Sequence, residues 1–280
     1  MEPQFAMNFE TLKVTQSEPP NSGIFFLYLN NPSRRNALTP KFFTEFPKAL
    51  SLLDQNPSAK LIILASNGDH FCSGIDILSL KSLQNQQTQD QGRAREALRR
   101  AIKEMQSAIT AIELCRKPVI ASIHGACIGG GVDLITACDL RLCSKQAFFS
   151  VKEVDLGLTA DLGSLQRLPY LIGYGNTMDL ALTCRRIDGL EAKKLGLVQT
   201  VFESRDDLEK GVMELASSIA EKSPMALMGT KAVMLKGREL GVEHGLDYVA
   251  TWNSAMLLSK DLEEAVEASV QKRKPVFAKL

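Results

Sequence analysis

The stretch PVIASIHGACIGGGVDLITACDLR, residues 118–141, joins an apolar run to a cluster of glycines and then to a helix-like apolar pattern. The run Val119–Ile123 has the length and composition of a buried strand. An earlier stretch repeats this order, because LIILAS at residues 61–66 leads to the turn Gly74–Asp76. Strands that alternate with helices in this way predict an α/β domain.

Each of the two units places a glycine turn before the start of a helix, with Gly74 in the first unit and Gly129–Gly131 in the second. Glycine lets the backbone approach a ligand closely, and the first turn of a helix leaves several N–H groups without intrahelical partners. Two such turns can direct peptide N–H donors at one oxygen, as in an oxyanion hole, where one donor contributes roughly 3 to 4 kcal/mol to transition-state stabilisation. The alternative is that these glycines only permit tight packing of strand against helix.

Three common catalytic or nucleotide-binding motifs are missing from the glycine-rich stretches. The segment GACIGGG contains no GxGxxG in register, and no GK[ST] follows a glycine cluster, which argues against Rossmann and P-loop sites. The chain also lacks the GxSxG nucleophile elbow, so the sequence offers no obvious serine nucleophile.

The composition is that of an ordinary globular protein. The chain has 280 residues and a mass of 30.7 kDa, with 33 basic and 32 acidic side chains and 45% apolar residues. A net charge of +1 argues against nucleic-acid and anionic-membrane partners, which require a basic excess. Six cysteines without a CxxC pair, and three histidines without i,i+4 spacing, favour a reducing compartment and argue against a zinc site. No membrane-length apolar run or secretory leader is expected.

Strand-like and helix-like patterns divide the chain into two parts. Besides the strands above, Ile24–Leu29 reads as a strand, whereas Pro40–Leu53 (with Thr39 as N-cap) and Arg93–Leu114 read as helices. The polar segment 81–92 reads as a linker or as a flap over a pocket. Beyond one late strand pattern, helical patterns dominate, and we predict a core with the active site at 1–200 and a helical region at 201–280. The late patterns are Leu197–Phe202 (strand) and Asp207–Glu221, Met225–Lys236, Leu246–Ser259 and Asp261–Gln271 (helices).

Three carboxylates follow the glycine cluster in apolar surroundings: Asp133, Glu153 and Asp161. We expect partial burial for Asp133, inside a helix, and Asp161 lies in a segment that is too apolar for a solvated charge. Burial raises carboxyl pKa values and neighbouring like charges separate them, so one group can act as base while another stays protonated. Such a set can move a proton between two carbons of one substrate. The alternatives are that Asp133 is a helix-interior residue paired to a lysine, and that Asp139 and Asp155 are structural or solvated.

Residues 118–141 resemble the signature of the enoyl-CoA hydratase/isomerase (crotonase) superfamily. HFCSGID at 70–76, NPSRRNALT at 31–39 and RIDGLEAKKLGLV at 186–198 are similar to further conserved-looking segments of that family. The resemblance implies a crotonase-like spiral of repeated ββα units and a helical C-terminal trimerisation region, with trimers that often pair into hexamers. It also implies a fatty acyl-CoA substrate, with coenzyme A as part of the substrate, no separate cofactor and no metal.

The same resemblance assigns the binding residues. The backbone N–H groups of Ile75 and Gly130 would form the oxyanion hole for the thioester oxygen. The acyl-CoA-binding residues would be Arg35, Ala37, Ser73, Gly74, Ile75, Asp76 and Gly130.

The carboxylates indicate the branch of the family. Hydratases that resemble this chain have two glutamates at the positions of Asp133 and Glu153, and a glycine where this chain has Asp161. The pattern here instead resembles the branch that isomerises 3,5-dienoyl-CoA to 2,4-dienoyl-CoA in fatty acid β-oxidation. Glu153 would take a proton from carbon 2, Asp161 would protonate carbon 6, and Asp133 would tune the pair. The alternatives are an enoyl-CoA hydratase or monoenoyl-CoA isomerase, and a non-catalytic acyl-CoA-binding or RNA-binding scaffold.

The last three residues, Ala278-Lys279-Leu280, are similar to the S-K-L peroxisomal address. Together with a fatty acyl-CoA enzyme, this tail predicts a peroxisomal location and recognition by a peroxisomal import receptor.

Overall fold

The computed structural model describes residues 9–19, 22–79 and 90–279, which form two sheets and a set of helices. The strands are β1 (Leu12–Gln16), β2 (Ile24–Leu29), β3 (Leu61–Ser66), β4 (Val119–Ile123), β5 (Ala126–Ile128), β6 (Leu140–Ser144), β7 (Phe148–Ser150), β8 (Ile187–Asp188) and β9 (Thr200–Phe202).

The helices lie between and after these strands. They are α1 (Pro40–Gln55), α2 (Gln91–Leu114), α3 (Gly130–Ala137), α4 (Ser164–Ile172), α5 (Tyr174–Thr183), α6 (Gly189–Leu195), α7 (Arg205–Ala220), α8 (Pro224–Lys236), α9 (Val242–Met256) and α10 (Lys260–Val270). Short 3-10 helices cover Pro32–Arg34 and Val154–Leu156. The predicted start of α1 is confirmed, because the Thr39 side chain accepts a hydrogen bond from the Phe42 N–H at 3.3 Å.

The larger sheet has the strand order β1-β2-β3-β4-β6-β9 and is parallel except for the β1–β2 pair. The smaller sheet has the order β5-β7-β8, with β5 and β7 parallel. Because the strands β2, β3 and β4 run parallel, their carboxyl ends meet at one edge of the sheet, and the segments that lead on to the glycine turns leave β3 and β4 there.

Side chains alternate between two apolar cores on either face of the larger sheet. Ile62 and Leu64 of β3 pack with α1 and α2 on one face, whereas Leu61 and Ile63 pack with α7 on the other. The α7 residues at this second core are Leu208, Val212, Ala216 and Ala220, spaced four apart, so they form one apolar stripe.

The strands and helices predicted from the sequence are present, including β9 within the predicted strand Leu197–Phe202, but several elements, among them β1, β6, α4 and α5, were not predicted. Strands of two or three residues, such as β5, β7 and β8, are too short to show a period of two. The boundary predicted after residue 200 falls inside β9, and α7 covers the chain's own sheet. Of the segment 81–92, residues 81–89 lie outside the described residues, and the rest caps and begins α2.

Within the described ranges, no helix combines the length and apolarity needed to span a bilayer. All six cysteines are buried free thiols, as the apolar neighbours of most of them suggest. Burial raises the pKa of the Cys72 thiol, which lies beside the first glycine turn, to about 12.

Candidate active site

The two glycine turns lie side by side in the structure. Leu38 bridges Ile75, donating its N–H to Gly74 O at 2.8 Å and accepting from Asp76 N at 3.0 Å. Since Leu38 makes both hydrogen bonds of this parallel bridge, the Ile75 N–H points away from it. A second bridge, between Cys72 and Cys127, fastens the first turn to the strand that enters the second.

Two backbone N–H groups lie close to each other at the glycine turns. Gly130 begins α3, so its N–H has no acceptor within that helix. A Cβ on Gly74 would lie 3.7 Å from Gly130 N, and a Cβ on Gly130 would lie 3.7 Å from Ile75 N. The two nitrogens are therefore close enough to form the pair of donors that an oxyanion hole requires.

Two glycines make the close approach of these segments possible. Gly74 has φ +95° and Gly129 has φ +51°, values that side-chain-bearing residues rarely adopt. A Cβ on Gly129 would lie only 3.1 Å from Glu153 Oε1. Glycine at 129 therefore lets the Glu153 carboxylate lie directly against the start of α3.

Asp133 is the most deeply buried of the three carboxylates, with 1% of its surface exposed in α3. Its Oδ1 accepts a hydrogen bond from the Ser164 N–H at the start of α4, at 2.6 Å. The pKa of Asp133 is raised to about 7, mainly by burial and further by the charge of Glu153. The hydrogen bond from the Ser164 N–H acts in the opposite direction and lowers this pKa. Among the residues that the structure describes, no lysine pairs with this carboxylate, and its hydrogen-bond donor is the Ser164 N–H.

Glu153 follows β7 at the start of the second 3-10 helix and is half-buried. Its Oε2 is buried and has no hydrogen-bond partner among the residues that the structure describes. Burial raises the pKa of Glu153, and the charge of Asp161 raises it further. A buried carboxylate oxygen with free lone pairs is suited to accept a proton from a bound substrate.

Asp161 is exposed, contrary to the burial that we predicted from its apolar neighbours. The prediction failed because the segment buries the side chains on either side of Asp161, Ala160 and Leu162, at 6% and 2% exposed, while the Asp161 side chain between them faces the other way. The surrounding protein still removes part of the hydration of Asp161 and raises its pKa. Its charge acts on both Asp133 and Glu153, so the three predicted carboxylates form one electrostatically coupled group.

The family model described as enoyl-CoA hydratase/isomerase matches residues 20–279. The chain belongs to the enoyl-CoA hydratase/isomerase family. Two relatives carry more specific names. The chain is 62% identical to the peroxisomal Delta(3,5)-Delta(2,4)-dienoyl-CoA isomerase of Arabidopsis thaliana, covering 98% of this chain and 99% of the plant protein. It is 39% identical to the mitochondrial Delta(3,5)-Delta(2,4)-dienoyl-CoA isomerase of Mus musculus, covering 95% and 81%.

Solved structures give the same family fold. The crystal structure of an enoyl-CoA hydratase from Bacillus anthracis has a TM-score of 0.86 and 28% identity, covering 96% of this chain and 99% of that one. The predicted family and the crotonase-like α/β fold class are confirmed.

In this hydratase/isomerase family member, hydrogen bonds from neighbouring residues hold the residues predicted to bind acyl-CoA. The Asp76 carboxylate accepts from Arg34 Nη1 at 2.9 Å and from the Ser79 N–H at 3.0 Å. These hydrogen bonds and the charge of Arg34 hold the pKa of Asp76 below its usual range, despite burial. Arg35 is exposed, and its carbonyl accepts from the Ser73 N–H at 3.0 Å. Ala37 is half-buried beside them.

Asn36 and Ser164 were missed by the sequence analysis. Asn36 is buried at φ +55°, and its amide donates to the carbonyls of Asn67 and His70, at 2.9 and 2.8 Å. Ser164 follows a glycine at a helix start, a signal for a site that favours a negative charge.

The remaining two acids of this region have no role in the group. Asp139 accepts from the Val119 N–H at 2.7 Å and pairs with Lys231 at 2.9 Å, so it is structural. Asp155 is exposed and pairs with Lys152.

We expect Asp133→Asn to stabilise this family member most at high pH. The pKa of Asp133 is about 7 in the folded chain and near its ordinary value of 3.8 in the unfolded chain. Between these pH values, the folded chain therefore carries a proton on Asp133 that the unfolded chain has lost. The free energy of unfolding of the wild type therefore falls as pH rises from about 4 to about 7, by up to about 4 kcal/mol. The neutral asparagine avoids this loss and keeps an oxygen for the Ser164 N–H.

Thermal unfolding should show a Tm about 5 °C higher for Asp133→Asn than for the wild type at pH 8, and a smaller difference at pH 5. Asp155→Asn, which removes an exposed carboxylate, is the control and should change Tm little at either pH. A difference that is the same at both pH values would show that Asp133 is not buried as a raised-pKa acid.

Proposed function

We propose that this enzyme isomerises 3,5-dienoyl-CoA to 2,4-dienoyl-CoA in the β-oxidation of fatty acids. The observation that carries the proposal is the coupled group Asp133, Glu153 and Asp161 beside the N–H groups of Ile75 and Gly130, which find no acceptor among the described residues. The 62% identity to a plant protein of that name, over nearly the whole of both chains, supports it.

In the proposed reaction, Glu153 removes a proton from carbon 2, and the electron pair of that C–H bond moves into the conjugated system. The negative charge reaches the thioester oxygen, which accepts hydrogen bonds from the Ile75 and Gly130 N–H groups. Asp161 then delivers its proton to carbon 6, which places the double bonds at carbons 2 and 4. Glu153 ends protonated and Asp161 ionised, so one proton must return from Glu153 to Asp161 before the next turnover.

The pKa directions support these roles. A raised pKa favours the protonated form of Asp161, which the reaction needs as an acid. The raised pKa of Glu153 makes its carboxylate a stronger base once it is ionised. Asp133, fixed by Ser164 and buried behind Glu153, would tune the pair through its charge.

The surface beside the carboxylates suits a fatty acyl chain. Large apolar side chains are exposed on the segments that flank the group: Ile77, Leu78, Val154, Leu156 and Leu158. An acyl chain lying over them would remove this apolar area from water. We place the CoA part along Arg35, Ala37 and Ser73, and coenzyme A enters as part of the substrate.

A hydratase is the second candidate, because Asp161 is exposed and a family member of hydratase name has the same fold. Purified enzyme offered 3,5-dienoyl-CoA should give the ultraviolet absorbance of a 2,4-diene. Asp161→Asn should nearly abolish this signal while the protein stays folded. Hydration of a 2-enoyl-CoA without any diene signal would overturn the isomerase proposal in favour of the hydratase.

We also propose a peroxisomal location and a trimer or a dimer of trimers. The Arabidopsis thaliana relative, 62% identical to this chain, is named as peroxisomal, which supports the location. Leu280 of the predicted tail address lies outside the described residues. Helices α9 and α10 expose apolar residues that a neighbouring subunit would cover, among them Val242, Leu246, Val266 and Val270. Sedimentation of the purified enzyme tests the assembly.

A further inference from the structure

The carboxylate of Asp161 depends on its backbone for its position. It makes no hydrogen bond or ion pair with another residue of the described chain. The segment around it, residues 158–163, forms neither helix nor strand. Because the carboxylate accepts a hydrogen bond from its own backbone N–H, whatever fixes the peptide groups of this segment also directs the carboxylate.

Two side chains hold adjacent peptide groups of this segment. Gln106 of α2 donates from Nε2 to the carbonyl of Asp161 at 2.7 Å. Arg167 of α4 donates from Nη1 to the carbonyl of Leu162 at 3.3 Å. Neither donor touches the carboxylate itself.

Arg167 is held in turn by the same face of α2. Its guanidinium binds Glu113 Oε2 at 2.6 and 3.0 Å and Thr110 Oγ1 at 3.2 Å. Gln106, Thr110 and Glu113 are spaced i, i+4 and i+7, which places them on one face of the helix. The guanidinium also fills the space beside Gly163, where a Cβ would lie only 1.8 Å from Nη1.

We propose that Gln106 and Arg167 are positioning residues that hold the Asp161 carboxylate toward Glu153 across the site. The proposal rests on the role given to Asp161 in the proposed function. Misplacing a reacting group by about 1 Å can lower a rate about 100-fold, so the loss of either tether should slow the step that needs Asp161. Removal of the proton from carbon 2 needs Glu153 and the oxyanion hole, and should be spared.

Gln106→Met tests the positioning role, because it removes the Nε2 donor to the Asp161 carbonyl. That one carbonyl is the only group left without its partner, and water can solvate it. We expect kcat for dienoyl isomerisation to fall about 10-fold or more with KM changed less than about twofold. Exchange of the carbon 2 hydrogens with deuterated water, followed by mass spectrometry, should continue at close to the wild-type rate. A general loosening of the fold would lower both rates together.

The matched control is Ser107→Ala, on the same helix, whose hydroxyl bonds the Lys103 carbonyl of its own helix at 2.8 Å. It should change neither rate. Asp161→Asn is the reference variant. Like Gln106→Met, it should lose isomerisation while the exchange of the carbon 2 hydrogens continues. If Asp161→Asn loses only isomerisation, and Gln106→Met does not show the same selective loss, the positioning proposal is wrong and the proposed function stands. Full isomerisation by Asp161→Asn would overturn both.

Discussion

Glu153→Gln should lower kcat for dienoyl isomerisation by about 1,000-fold or more, because a positioned general base contributes up to about 10,000-fold and glutamine cannot accept the proton. The side chain keeps its shape, so substrate binding through the Ile75 and Gly130 N–H groups should persist and KM should change little. The protein should fold as before, since the substitution removes a carboxylate whose pKa is raised mainly by burial. Steady-state kinetics and a thermal melt measure both effects.

Asp155→Asn is the control for Glu153→Gln. Asp155 lies two residues further along the chain, is exposed and pairs with Lys152, so its loss should leave kcat within about twofold of the wild type. Carbon 2 exchange with deuterated water should vanish in Glu153→Gln and persist in Asp155→Asn. Rapid exchange by Glu153→Gln would mean that another group is the base, and the role of Glu153 would have to be given up.

Gly74→Ala should reduce kcat/KM by about 100-fold, because it disturbs the turn that presents the Ile75 N–H to the thioester oxygen. At φ +95° the new Cβ is strained, and it would lie 3.1 Å from the carbonyl oxygen of Ile128. Since that oxygen belongs to the backbone that leads into Gly130, relief of the contact must move one turn away from the other. Both donors of the oxyanion hole are affected by this one methyl group.

Gly173→Ala separates this effect from simple backbone strain. Gly173 has φ +79° at the junction of α4 and α5, and a Cβ there would meet nothing within 4 Å. Both substitutions should lower the free energy of unfolding by about 1–3 kcal/mol, and only Gly74→Ala should lose activity. Equal losses of activity in the two variants would argue against an oxyanion hole at Ile75.

The long elements of the fold were predictable because their patterns are local. Ile24–Leu29 and Val119–Ile123 have the same bounds in the structure as in the sequence analysis, and the predicted helices differ only at their ends. The strands β5, β7 and β8 were missed since two or three residues carry no periodic signal. Their pairing nevertheless brings Ser150 to the Gly129 N–H and so fixes the start of α3.

The burial of the three carboxylates could be predicted only in part. Asp133 is buried more deeply than expected, because α3 is covered on all sides by segments distant in sequence. Asp161 is exposed although its direct neighbours Ala160 and Leu162 are buried, because successive side chains of this segment face opposite ways. The composition of a segment therefore did not determine which of its side chains faced the core or the surface.

The sequence alone determined the family, the two glycine turns and the identity of the three carboxylates, since each of these is encoded in a short stretch of chain. Only the tertiary structure decided which groups surround each carboxylate. Ser164 reaches Asp133 across 31 positions of the chain, and Gln106 reaches Asp161 across 55. The pKa values and directions of these acids depend on burial and on charges supplied by such distant segments, and no local pattern records which segments the fold brings together.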